Sequence, residues 1–163
     1  MLARTREAAL DEVEHARVVQ RLAAHFGGEV SPRTIAVSAV RDLETVALEN
    51  ALEGCVAETW GCLVGMHQAR HATNARLRRT YRRIAVDEAR HAQLSWDIAE
   101  WAEQKLDAAA LQRISDRRSR AVRELESAVS RETESAADRQ VLGLPDPALR
   151  RRLFVHVQRS LWS

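Results

Sequence analysis

A six-residue pattern occurs twice in this chain. Asp87-Glu88-Ala89-Arg90-His91-Ala92 repeats, as D-E-x-x-H-A, a stretch 76 residues upstream, Asp11-Glu12-Val13-Glu14-His15-Ala16. Both copies lie in long segments with helical periodicity. On a helix, residues three apart stand one turn apart on one face, so each copy presents a Glu beside a His. A carboxylate and an imidazole placed so can share one transition-metal ion, or hold one ion of a pair. One E-x-x-H alone is weak evidence, because both residues are common on helices. Two copies with the same flanking Asp and Ala ask for a fold that brings two helices together along these faces.

The remaining residues favour helices. With six Gly and three Pro in 163 residues, and many Ala, Leu, Arg and Glu, the composition implies an all-α protein. Basic and acidic residues number 25 and 23, so net charge selects no partner. Arg113, Arg117, Arg118, Arg120 and Arg123 form a basic run without interleaved aromatics. That pattern reads as a solvated face, not a nucleic-acid surface. Cys55 and Cys62 are seven residues apart, roughly 10 Å along one helix, too far for a disulfide. A reducing, cytoplasmic setting is the simpler reading. No apolar run is long enough to span a membrane, and no secretory segment opens the chain.

Taken in order, a first helix is expected over residues ~2–26, stopped by Gly27-Gly28. Glu12 and His15 fall on its apolar face. Residues 29–41, with Ser31-Pro32, form a connector able to cross a whole bundle and leave the second helix parallel to the first. The second helix, ~42–72, carries Glu58 within a stripe of small residues, including Ala51, Gly54, Cys55, Gly61, Cys62 and Gly65. Three helical glycines suggest a close neighbour. Glu49, Glu53, His67 and His71 fall on the opposite, solvated side. After the Thr73-Asn74 turn comes a third helix, ~75–104, with Tyr81, Glu88 and His91 on its apolar face. Counted from the turn, Glu58, Glu88 and His91 stand roughly level. A fourth helix is expected over ~107–138 and a last one over ~147–161, opened by Asp146 and Pro147.

Glu53-Gly54-Cys55-Val56-Ala57-Glu58-Thr59 followed by Asp87-Glu88-Ala89-Arg90-His91-Ala92 resembles the ferritin-like superfamily of di-iron or di-manganese carboxylate proteins, and within it an uncharacterised bacterial ferritin-like domain group. The resemblance covers about residues 1–104. It implies a metal-binding helical bundle over 1–105 with three of the four core helices, and a C-terminal two-helix extension over 106–163. It implies two iron (or manganese) ions. Glu12 and Glu88 would lie near both metals, His15 and His91 would bind one each, and Glu58 would be a terminal or bridging ligand. Asp11 would hydrogen-bond His91, and Asp87 would hydrogen-bond His15. Tyr81 would be a redox or hydrogen-bonding neighbour, or simply core.

The family's first core helix, with its Glu, has no counterpart. An upstream segment, a second copy of the chain, or the ~107–138 helix through Glu124 could supply it. Ferroxidase, peroxidase and oxygenase activities all fit the resemblance. The other reading is a helical structural or interaction module with an incomplete, non-catalytic metal site. Cys55 and Cys62 read as packing residues in either case.

Overall fold

A computed structural model describes residues 1–30, 39–131 and 134–162. All regular structure among the described residues is helical: α1 (Leu2–His25), α2 (Leu43–Glu49), a π-helix (Asn50–Glu58), α3 (Thr59–His71), α4 (Ala75–Glu103), α5 (Ala108–Val129), α6 (Ala136–Leu142), α7 (Pro147–Val157) and a closing π segment (Gln158–Trp162). None of these helices is long and apolar enough to cross a membrane.

Side-chain caps set several of the starts. Asp42, Asn74, Asp107, Ser135 and Asp146 each accept a hydrogen bond from a first-turn N–H, satisfying donors that have no partner inside the helix. Pro147 opens α7, as expected. The expected helix over ~107–138 is instead two. α5 ends at Val129, and Ser135 caps a separate seven-residue α6. Part of the connector over 29–41 lies outside the described residues.

α2, the π-helix and α3 follow one another without a break, and α4 returns antiparallel beside them. α1 also runs antiparallel to α4, since Arg4 pairs with Asp97, Asp11 with His91 and His15 with Asp87. α1 and α3 are therefore parallel to each other, which is the orientation the connector was expected to allow.

The π-helix runs close against α4. Gly54 faces Ser95, and a Cβ there would lie 2.6 Å from the Ser95 Cβ and 2.5 Å from the Asn50 Oδ1. Asn50 donates from Nδ2 to the Ser95 carbonyl at 2.9 Å. The three-glycine expectation narrows to this one position. At Gly65 a Cβ would make ordinary contact with Ala85, and at Gly61 it would meet open space. Gly54→Ala is expected to cost about 1–3 kcal/mol through overpacking. Gly61→Ala should gain up to about 1 kcal/mol from helix propensity. Thermal melts of the two variants should move in opposite directions.

An apolar cluster lies between the π-helix and the C-terminal helices. Val56, Ala121, Val122, Phe154, Val157 and Trp162 are buried there together. The Trp162 indole N–H donates to the Cys55 carbonyl at 2.9 Å, tying the last described residue to the middle of the π-helix. Val56, before the division expected at residues 105 and 106, thus packs with residues that follow it.

The arginine run of α5 is only partly solvated. Arg113 makes a two-pronged pair with Glu44 (2.5 and 2.9 Å), and Arg118 lies over the Trp96 ring. His67 also leaves the solvated face assigned to it. It is half-buried and bonds to the carbonyl of Gly143, beyond α6. α1, in contrast, is thinly covered. His15 is its one buried residue, and Val13, Val19 and Phe26 are about half exposed.

Candidate metal centre

Glu12 and His15 enter from α1, Glu88 and His91 from α4, and Glu58 from the end of the π-helix. All five meet between the helices. One oxygen of Glu12, one of Glu88 and one nitrogen of His91 lie within 4.8 Å of one another. His15 Nδ1 is 3.2 Å from Glu88 and 3.4 Å from Glu12. His91 Nδ1 is 3.1 Å from Glu12 and 3.9 Å from Glu88. Glu58 shares a hydrogen bond with Glu88. The two imidazoles face each other with centroids 5.9 Å apart.

The outer nitrogens are held crosswise. His15 Nε2 lies 3.1 Å from the carboxylate of Asp87, and His91 Nε2 lies 3.2 Å from that of Asp11. Each aspartate thus contacts the histidine of the other helix, the pairing that the resemblance implies. An ionised carboxylate only accepts, so each Nε2 carries the proton and each Nδ1 is left with a lone pair. Those lone pairs then face the oxygens of Glu12 and Glu88. The His15 Nδ1 is buried and has no hydrogen-bond partner. Acceptors gathered this closely around a common point repel unless a proton or a cation lies between them.

Electrostatics show the same crowding. Burial, the hydrogen bond that protonated Glu88 donates to Glu58, and the charges of Glu58, Glu12 and Asp87 push Glu88 up to about 9. The metal-free Glu58–Glu88 pair therefore keeps a proton at neutral pH. Glu88 is mostly buried, whereas the Glu12 side chain is 53% exposed, so the cluster is open on the α1 side.

The cysteines do not join the donor set. Burial raises the Cys55 thiol to about 11. Burial, then the nearby Glu88 and Glu58, also raises Cys62. Both remain protonated thiols, which are poor metal ligands. Glu124 is exposed on α5, whose buried residues are Ala110, Ala121 and Val122, so it gives no sign of closing the cluster. Tyr81 is half-buried on α4.

One residue of the constellation escaped the sequence reading. Arg90 donates to Asp87 at 2.7 Å and to Asp11 at 3.0 Å, so one guanidinium links the two aspartates. It occupies a position that differs between the two copies of the repeat, where α1 has Glu14. The i, i+3 spacing from Asp87 was its only signal. Compared with known protein families, characterised proteins and solved structures, the chain has no match.

Proposed function

We propose that this chain is a ferritin-like protein that binds two iron (or manganese) ions through Glu12, His15, Glu58, Glu88 and His91. The observation that carries the reading is the unsatisfied His15 Nδ1 facing two carboxylates. Three carboxylates and two imidazole nitrogens suit a hard or borderline divalent ion. When bound, such an ion pair supplies redox chemistry with O₂ or peroxide.

The chain's own residues prepare the site. Asp87 and Asp11 fix the orientation and tautomer of the imidazoles and raise their basicity. Arg90 holds both aspartates in place. Glu88, central and mostly buried, would give up its proton where a cation is held. A further helix, from an upstream segment or a second copy, would close the side on which Glu12 is exposed.

The test is anaerobic titration with Fe(II) and with Mn(II), followed by air. Two ions per chain and near-ultraviolet absorbance on aeration are the expected result. Failure to bind either ion would remove this reading. Binding without any oxidation would favour the second reading, a helical interaction module with an incomplete site, for which the exposed Glu12 speaks.

Asp87→Asn separates support from coordination. It should weaken metal binding by about 10- to 100-fold while the metal-free fold stays intact. Calorimetry measures the first effect and circular dichroism the second. An unchanged affinity would reduce Asp87 to a simple inter-helix tether.

A further inference from the structure

A second pair of histidines stands apart from the carboxylate cluster. His67 and His71 are four residues apart in the last two turns of α3, so they share a face. Their rings stack with centroids 4.2 Å apart and planes 27° apart, so their in-plane lone pairs lie side by side, and the exposed His71 must turn about its side-chain bonds for both rings to reach one ion. His67 is half-buried and His71 exposed. The Nδ1 of His67 lies 2.7 Å from the carbonyl oxygen of Gly143. A carbonyl only accepts, so Nδ1 carries the proton and Nε2 keeps its lone pair. A ring nitrogen bonded to a backbone carbonyl is the usual support of a metal-binding histidine, because it fixes the tautomer and the ring orientation.

The electrostatic setting also favours a cation. α3 ends at His71 and α6 at Leu142, next to Gly143, so two helix C-termini meet here. Each carries a partial negative charge. Arg78 already answers this end of α3, donating to the carbonyls of Ala72 at 2.6 Å and Thr73 at 2.8 Å. The contact with Gly143 is built in: a Cβ on that glycine would lie 2.2 Å from the Ala72 nitrogen. The α6 end is thereby held against α3 where it orients His67.

We propose that the Nε2 atoms of His67 and His71 form a second metal site, which takes a divalent ion with a preference for imidazole, such as Ni²⁺, Cu²⁺ or Zn²⁺. The softer, nitrogen-only donor set separates it from the oxygen-rich cluster, which favours iron or manganese. Water completes the coordination on the exposed side. An ion here would clamp the end of α3 beneath the α6 turn without touching Glu12, Glu58 or Glu88.

The experiment uses Ni²⁺ as the probe and the untagged full chain carrying Glu88→Gln, which disables the carboxylate cluster. Calorimetry should find one Ni²⁺ per chain. His71→Ala in the same background should weaken that binding at least about 10-fold, the minimum expected for losing one of two protein donors. His71 is exposed, so the variant should keep its helix content by circular dichroism. Bound Ni²⁺ should also raise the melting temperature, since an ion that binds only the folded state stabilises it. Ni²⁺ affinity that is the same with and without His71, or no Ni²⁺ binding in the parent, overturns the proposal. Neither result bears on iron or manganese at the carboxylate cluster, which is read with Glu88 restored.

Discussion

Glu88→Gln should abolish binding of Fe(II) and Mn(II), a larger loss than the about 10- to 100-fold expected for a supporting residue such as Asp87. Glutamine keeps the shape and the hydrogen bond to Glu58 but cannot provide the anion between the two imidazoles. The metal-free chain should respond in the opposite direction. Burial, with the neighbouring carboxylates, raises Glu88 from an ordinary 4.5 to about 9 in the folded state. Across that window the folded chain holds a proton that the unfolded chain has lost. Stability of the metal-free wild type therefore falls as pH rises toward 9 and levels off above it. The Gln variant lacks that slope.

Metal affinity of the wild type should rise with pH over the same window, because the ion displaces the proton. Melting curves at several pH values, with and without Mn(II), read both effects. If the metal-free wild type and the Gln variant melt in parallel across the window, Glu88 is not the crowded carboxyl described above.

Phe154→Ala should cost about 3–5 kcal/mol, the usual loss for emptying a buried aromatic position. Phe154 is 2% exposed. Its ring meets Trp60 edge-on at 6.3 Å and Trp162 at 5.9 Å, so the cavity would be walled by two indoles that cannot easily collapse into it. The consequence reaches the metal centre. Trp162 bonds to the Cys55 carbonyl within the π-helix that ends at Glu58. Urea unfolding should show one transition moved to lower denaturant with its slope kept. Two separate transitions, with only one shifted, would mean that the C-terminal helices unfold apart from the bundle.

Much of the candidate centre could be read before folding. While the crossed Asp–His contacts came from the resemblance to ferritin-like bundles and not from the spacing, the repeated D-E-x-x-H-A set Glu and His on the inner faces of α1 and α4. Helical spacing carries this information because a period of 3.6 residues turns a linear pattern into a face. Glu58 stood out as the one carboxylate in a stripe of small residues, and level-counting along the hairpin supported it, which works because an α-helix advances by a constant rise.

Other features depend on neighbours that periodicity does not encode. The π-helix over Asn50–Glu58 does not show in an apolar pattern, since its close contact with Ser95 is made across 41 residues, from Gly54 on one helix to α4. The break after Val129 is equally hidden: Ala, Ser and Glu there continue a helix as readily as they end one, and Ser135 acts as a cap only because α6 packs elsewhere. His67 was read as solvated because its face lies opposite Glu58 on the wheel. The turn at Gly143 comes to that face from 76 residues further along the chain. By itself the sequence determined which side chains each helix offers and in what order along its axis, since local geometry alone decides that. Only the tertiary structure decided which offers meet: the joint core around Phe154, the Arg90 bridge between two aspartates, the lone pairs left facing Glu12 and Glu88, and the open flank of α1. Each of these depends on distances between segments far apart in the chain, and packing sets those distances once the whole molecule has folded.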